Sequence, residues 1–294
     1  MKKIVSALIV LLPFVSTYAY DLEYQGLFYD IDFNSKTMTV VNPFYNPNYY
    51  RPYYGYCSGR ITIPSSIKFG DNDYTVTAIG ENAFNNCSDL TAIVIPNSIT
   101  KIGRGAFSSC TSLTLVNIPE SISEIDNSAF YYCESIDTLI WDNDNVLFSI
   151  RLFEWLPNLK HVTIGKIRTD YAPFEECDSL TSAAILDGTT TIPEGMFLEC
   201  SILKSITIPE SVTSIGAWAF SGCYGLESVI IPNGVTHIGT AAFQGCWNLP
   251  SINIPNGVKT IESTAFGYCS GLTEISIPKS VTSVDGAFIG CSNL

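Results

Sequence analysis

Histidine and positive charge are scarce in this 294-residue sequence, and both shortages exclude classes of function. It has 15 lysines and arginines against 28 acidic residues, which gives a formal net charge of −13. Nucleic acids and anionic lipids bind basic surfaces, so we expect neither as a partner. The only two histidines, His161 and His237, do not suggest the three or four converging ligands of a zinc site. We therefore expect no metal and no cofactor.

Long apolar runs are also rare, and the one present lies at the N-terminus. Two lysines precede the apolar residues 4–15, and Thr17-Tyr18-Ala19 follows as a cleavage site of small residues. This pattern is typical of a secretory signal peptide covering residues 1–19. A membrane anchor is the alternative, but the run is short for crossing a bilayer. Cleavage would remove two lysines and leave a net charge of −15, on a secreted or cell-surface chain without membrane insertion.

What the sequence does contain is a repeat, most easily followed from Cys223. Phe220 lies three residues before it and Leu226 three after, while Val229 and Ile231 precede Pro232. Cysteine recurs in this frame, mostly every 23 residues, at Cys87, Cys110, Cys133, Cys177, Cys200, Cys223, Cys246, Cys269 and Cys291. Leu156 occupies the one slot that lacks a cysteine. A fixed period of this length predicts a solenoid.

Each unit is expected to contain two short strands and one or two helical turns. Alternating apolar residues around Val229 indicate the first strand, which Pro232 ends because proline cannot donate to a strand ladder. Residues 235–238 alternate again, and the inward residues from Ala242 to Leu249 follow a spacing of three and four that suits a helix. The prediction is a β-rich solenoid of about ten 23-residue coils over residues 76–294. In residues 134–175 the units are degenerate, with Asp142 and Gly165 at proline slots.

The unit I-G-x-x-A-F-x-x-C-x-x-L-x-x-I-x-I-P-x-x-V-T resembles the BspA-like leucine-rich repeat family of bacterial surface proteins. It occurs nearly intact at 79–96, 215–232 and 238–255. The resemblance covers about three-quarters of the chain. It implies a right-handed leucine-rich-repeat stack in a secreted or cell-surface protein that adheres to host proteins or to other cells. It supplies no catalytic motif.

Residues 20–75 precede the repeats and are expected to cap the solenoid. Alternation between Tyr24 and Val41 around Asn34 predicts a β-hairpin. Residues 61–64 match the strand of a first coil. Between them lies a loop, residues 44–56, that is rich in tyrosine and proline and offers rigid contact area for proteins or glycans. Its candidate binding residues are Tyr49, Tyr50, Tyr53, Tyr54 and Tyr56. The alternative is a loop folded over the cap with the rings as a small core.

The outward positions of the first strands form the second candidate surface. Stacked parallel strands would place these positions on one small, neutral, hydroxyl-rich face. Its candidate binding residues are His161, Ser182, Ser205, Ser228 and Ser251. A glycosidase would need two neighbouring carboxylates, and only Glu274 occupies such a position. We therefore expect no catalytic residues.

The repeated cysteines are expected to form a buried column of mostly free thiols, because side chains that point in parallel have poor disulfide geometry. Cys57 lies outside the repeat frame, two residues late for the slot implied by Pro64. It is therefore predicted to be an unpaired, exposed thiol.

Taken together, the residues favour a binding protein, with a host extracellular or bacterial surface protein as partner and a glycan as the other ligand class. A structural module of a cell-surface complex is the alternative, and a carbohydrate-active enzyme is a distant third.

Overall fold

The computed structural model describes residues 20–43, 57–126, 128–148, 156–169 and 172–294. These residues form strands and turns and contain no helix. The strands are β1 (Leu22–Tyr24), β2 (Leu27–Asp32), β3 (Thr37–Val41), β4 (Ser58–Thr62), β5 (Ser66–Phe69), β6 (Asn72–Ile79), β7 (Asp89–Val94), β8 (Lys101–Ile102), β9 (Leu115–Ile118), β10 (Glu124–Ile125), β11 (Thr138–Phe148), β12 (His161–Thr169), β13 (Ser182–Ile185), β14 (Thr191–Ile192), β15 (Ser205–Thr207), β16 (Ser214–Ile215), β17 (His237–Ile238), β18 (Ser251–Asn253), β19 (Thr260–Ile261) and β20 (Glu274–Ser276).

The chain divides into two compact units. Among the described residues, the first comprises 20–43, 57–114, 119–126 and 128–134, and the second comprises 115–118, 135–148, 156–169 and 172–294. The fold is a β-solenoid of about eight turns of about 23 residues, so the predicted solenoid is confirmed with fewer coils than the ten expected. Part of the unit around Leu156 lies outside the described residues, and residues 281–294 form turns without a strand.

The first unit contains the predicted hairpin. Strands β2 and β3 pair antiparallel from Phe28 opposite Val41 to Asp32 opposite Thr37. The turn between them is closed by the Asp32 carboxylate, which accepts the amide of Asn34 at 2.8 Å. Strand β3 then pairs in parallel with β6, which pairs with β8, and β8 with β10. The hairpin thereby extends the sheet formed by the second strands of the repeats.

The second unit contains the longest sheet of first strands, in the order β15-β13-β12-β11-β9, all parallel. Strands β14, β16, β17 and β19 form a separate parallel ladder of second strands. Strands β11 and β12 are unusually long because their proline slots hold Asp142 and Gly165, which do not interrupt the ladder. Pairing continues past that point, with Asn143 opposite Ile167.

A column of phenylalanines forms the core of each unit. In the first unit Phe84, Phe107 and Phe130 stack with ring centroids 5.2 and 5.0 Å apart. In the second, adjacent rings are 5.1 to 5.7 Å apart from Phe174 to Phe288. Isoleucine, valine, leucine and cysteine at fixed offsets surround these rings and are buried. One coil therefore buries its apolar face against the next.

The predicted helical turns are wrong, and the hydrogen bonds give the reason. An α-helix needs each amide to donate within its own segment. Here alternate amides donate to the next coil: Phe243 donates to the Ala265 carbonyl at 2.7 Å, and Gly245 to the Gly267 carbonyl at 2.8 Å. The intervening amides, such as that of Gln244, bond three residues back. The segment is thus a series of tight turns that shares the apolar spacing of a helix.

Candidate binding surface

The tyrosine-rich loop falls outside the described residues. Its five candidate residues, Tyr49, Tyr50, Tyr53, Tyr54 and Tyr56, all lie within residues 44–56, and their role stays a prediction.

The exposed strand face of the second unit brings four of the other candidates together. In-register pairing places residues of successive strands side by side. The first row of this face consists of Leu115, Thr138, His161, Ser182, Ser205 and Ser228. Ser251 is not part of it, because it pairs with Glu274 in the two-stranded sheet of β18 and β20.

A second row lies two residues further along the same strands. It consists of Asn117, Ile140, Thr163, Ala184 and Thr207. The residues between the two rows, such as Val116, Val162 and Ala183, are buried, as the two-residue period of a strand requires. Neither row contains an aspartate, glutamate, lysine or arginine. We call these two rows, together with Ile230 two residues beyond Ser228, the strand face.

Large apolar side chains on the strand face were not among the predicted site residues. Leu115 is 42% exposed, and Ile230 is 82% exposed, more than any other large apolar side chain of the described residues. Leu115 lies five residues after Cys110, and Ile230 lies seven residues after Cys223. These two offsets are the outward-facing positions of the first strands. The signal that could have found them is an apolar residue at an outward position where other units have serine, threonine or asparagine.

One side-chain hydrogen bond orders the polar part of the first row. His161 Nδ1 and Ser182 Oγ are 2.8 Å apart. A serine and a histidine also occur together in hydrolases, where a third group orients the histidine. No carboxylate contacts His161 within the part of the chain that the structure describes. In this arrangement the pair presents hydrogen-bonding groups on an open surface.

Most of the cysteine column lies in the interior, as predicted, and seven of its thiols donate to a phenylalanine carbonyl in the preceding coil. Cys223 Sγ donates to the Phe197 carbonyl at 3.2 Å, and Cys269 Sγ to the Phe243 carbonyl at 3.1 Å. Eight cysteines are free thiols. Burial raises the pKa of Cys110, Cys200, Cys223 and Cys246, and it raises that of Cys269 to about 12.

The prediction for Cys57 is wrong, because Cys57 is buried and forms a disulfide with Cys87. Strand β4 pairs in parallel with β7, and their register shifts between Gly59 and Arg60. With Ser58 opposite Asp89, the preceding Cys57 lies next to Cys87, and the two Cα atoms are 5.7 Å apart. The irregular register removes Cys57 from the cysteine column and gives it a partner.

A cleft of about 660 Å³ in the second unit was missed by the sequence reasoning. Trp218 lines it, together with Glu194, Ser221 and Gln244 from neighbouring coils. Trp218 is 42% exposed and lies in the left-handed region, with φ of 53°. The signal that could have found it is a bulky residue five positions before a cysteine, where other units have small residues.

Within the described ranges, no cluster of three or more histidine, cysteine or acidic side chains could hold a metal ion. Nowhere in those ranges does a helix have the length and apolarity to cross a bilayer.

Parallel strands stacked with a 23-residue period over a phenylalanine column define a leucine-rich-repeat solenoid. The family model for the BspA type leucine rich repeat region matches residues 77–170 and 166–294 in six copies. The chain therefore belongs to the BspA-type leucine-rich repeat family, and a family of this kind suggests a general role in binding or adhesion.

Solved structures with similar chains carry related descriptions. A leucine rich cell surface protein from Faecalibacterium prausnitzii is 25% identical, with 93% of each chain covered and a TM-score of 0.39. A leucine-rich repeat protein from Bacteroides ovatus is 22% identical over 94% of this chain and 93% of that one, with a TM-score of 0.41. A leucine-rich repeat protein from T. pallidum is 21% identical over 78% and 91%, with a TM-score of 0.42. Since these TM-scores are below 0.5, the family assignment rests on the family model. No curated protein matches the chain.

Proposed function

We propose that this protein is a secreted or cell-surface binding protein that binds an extracellular protein through the strand face and has no catalytic activity of its own. The observation that carries the proposal is the absence of charged side chains from both rows of that face, in a chain of net charge −13. Depletion of charge is the compositional signature of the buried centre of protein interfaces.

The apolar members of the strand face supply the affinity in this proposal. Ile230 and Leu115 are exposed in the unbound protein, and burying an aliphatic side chain of this size contributes about 1.5–3 kcal/mol. The serine and threonine hydroxyls around them can donate and accept hydrogen bonds. A partner with an apolar patch bordered by polar groups fits this arrangement.

Location at the cell surface or outside the cell is part of the same proposal. It is supported by residues 1–19, whose basic start, apolar centre and small-residue end are typical of a signal peptide, and by the family. We propose that cleavage leaves Tyr20 as the first residue, residues 20–75 as a cap and residues 76–294 as the repeats. The mass of the secreted protein checks this cleavage site.

Binding of the full secreted chain to a panel of purified extracellular-matrix proteins tests the proposal. We expect saturable binding to a protein of the panel, and we expect Ile230→Asp to weaken it at least tenfold because the charge must be desolvated at the contact. Ile202→Asp is the matched control, since Ile202 is an exposed isoleucine of the same unit that lies in a turn.

Three outcomes separate the alternatives. Equal binding by Ile230→Asp and the parent protein would show that the partner does not use the strand face. Loss of binding in Tyr49→Ser/Tyr50→Ser, with Ile230→Asp unaffected, would move the site to the tyrosine-rich loop. Failure to bind any protein would favour a structural module of a surface complex.

A further inference from the structure

Trp218 has a backbone conformation that the fold imposes and that tryptophan does not favour. Its equivalents in neighbouring coils, Gly195, Ala241, Thr264 and Gly286, also have positive φ angles, from 52° to 67°. A side chain at such an angle crowds the following carbonyl, so glycine is favoured there and a bulky residue is an outlier. Trp218 also remains 42% exposed, so burial does not compensate fully for the strain. Outliers of this kind occur at ligand sites more often than elsewhere.

Space for a ligand lies beside the Trp218 indole. Gly195 is the equivalent residue in the preceding coil, and both residues line the cleft. A side chain cannot replace Gly195 without rearrangement, because its Cβ would lie 2.8 Å from the Ala172 Cβ. The cleft volume of about 660 Å³ falls within the about 300–1,000 Å³ that small-molecule sites occupy.

The polar groups of the cleft are available to a ligand. Ser221 is only 7% exposed, yet its hydroxyl makes no hydrogen bond to another residue in the described ranges. The side chains of Glu194 and Gln244 likewise form no hydrogen bond or ion pair there. These three polar side chains line the cleft and can form hydrogen bonds with the hydroxyl groups of a ligand.

We infer that this cleft binds an uncharged oligosaccharide. The indole of Trp218 provides an apolar surface on which the C–H face of a pyranose ring packs. The Glu194 carboxylate, the Gln244 amide and the Ser221 hydroxyl accept or donate hydrogen bonds to the sugar hydroxyls. No lysine or arginine lines the cleft within the described residues, and the carboxylate of Glu194 repels anionic sugars. We therefore expect uronic and sialic acids to bind more weakly than neutral sugars. This inference does not depend on the strand face.

Titration of the full secreted chain with neutral hexasaccharides of glucose, mannose and N-acetylglucosamine tests the inference, with tryptophan fluorescence and calorimetry as readouts. We expect saturable binding of at least one of them and weaker binding of oligogalacturonate. Trp218→Gly is expected to weaken binding at least tenfold while leaving Tm unchanged or higher, because glycine relieves the backbone strain. Trp247→Ala is the matched control, since Trp247 is exposed but does not line the cleft.

Each contrary result overturns the inference. If none of the neutral sugars binds, or if only the acidic sugar binds, an uncharged oligosaccharide is not the ligand. Full binding by Trp218→Gly would place the sugar elsewhere, and a lower Tm would show that the tryptophan serves packing. Gln244→Ala, which leaves the backbone turn unchanged, is expected to weaken binding as well and gives a second readout at the same site.

Discussion

The cysteine column shows why this residue type recurs at one position of the repeat. A small apolar side chain fits beside the stacked phenylalanines, and the carbonyl of the phenylalanine one coil earlier, which already accepts the Cys200 amide in the case of Phe197, can accept a second hydrogen bond. The thiol of Cys223 supplies both, since it is buried and donates to the Phe197 carbonyl. Alanine would fill the space without the donor, and a free cysteine combines small apolar character with a weak S–H donor.

Alkaline pH is expected to destabilise the protein through these thiols. Burial raises the pKa of Cys269 from 9.0 to about 12, so between these values the unfolded chain loses a proton that the folded chain keeps. The contribution of Cys269 to stability is therefore complete below pH 9 and is lost as pH rises towards 12. Chemical denaturation from pH 7 to pH 11 should show this decline, and a less steep one in Cys269→Ala. An identical slope in the two proteins would contradict the assignment.

Thiol titration distinguishes the disulfide from the column. We expect eight free thiols in denatured, unreduced protein and ten after reduction. The native protein should react slowly, because a raised pKa leaves little thiolate at neutral pH. Ten free thiols before reduction would show that Cys57 and Cys87 are not joined, and fewer than about seven would show pairing within the column.

The cysteines also show where sequence reasoning reaches its limit. The column could be predicted because cysteine recurs at nine equivalent positions of the repeat, beside apolar residues at fixed offsets. Cys57 occurs once, so its partner depended on the register between β4 and β7. That register contains a shift after Gly59, which a regular alignment of repeats does not show.

At the scale of elements, most strands were predicted correctly and the helical turns were not. Alternation of apolar and polar residues indicated the strands, but residues 229–231 before Pro232 form no strand, and Ser228 makes only an isolated bridge to Ser205. A spacing of three and four residues is shared by helices and by consecutive tight turns. The difference lies in where amides donate, and the Phe243 amide donates to the next coil. The Trp218 cleft was missed for a related reason. The positive φ angle of Trp218 belongs to one of these tight turns, and a helix, which was predicted here, would not contain it.

A glycine follows several of the second strands, as Gly239 follows β17, and allows two coils to approach closely. A Cβ on Gly239 would lie 2.7 Å from the Ala217 backbone nitrogen, and backbone cannot move aside as a flexible side chain can. Gly239→Ala is therefore expected to lower the free energy of unfolding by about 1–3 kcal/mol, as overpacking does. Urea denaturation measures the effect.

Ser263→Ala serves as the control for Gly239→Ala, because Ser263 is exposed in the adjacent turn and surface changes usually stay within about 0.5 kcal/mol. If Gly239→Ala were as stable as the parent protein, neighbouring coils could move apart at this point without loss of folding free energy, and the predicted overpacking would be wrong.

For the whole molecule, charge is distributed unevenly in a way that affects binding. The chain is strongly acidic, yet the strand face carries no charged side chain. Attraction between exposed charges weakens as salt shortens the Debye length from about 10 Å at 0.1 M to about 3 Å at 1 M. Binding through a neutral face should therefore change little with salt.

We expect the dissociation constant of the protein partner to change by less than about threefold between 0.05 and 0.5 M NaCl, because screening acts on charges that the contact does not use. Surface plasmon resonance at several salt concentrations measures it. A steep loss of affinity with salt would indicate that the partner contacts the acidic remainder of the surface instead.

The in-register pairing of first strands has an evolutionary consequence. Residues 23 positions apart in the gene become immediate neighbours on the protein surface, as Ser205 and Ser228 do. Unequal crossing-over between repeats would insert or remove whole coils, and each event would lengthen or shorten the surface by one strand. The interior would be preserved, because most coils present phenylalanine, leucine and cysteine to their neighbours at the same positions. Single genetic events could thus enlarge or reduce the exposed strand surface of such a protein while its core stays the same.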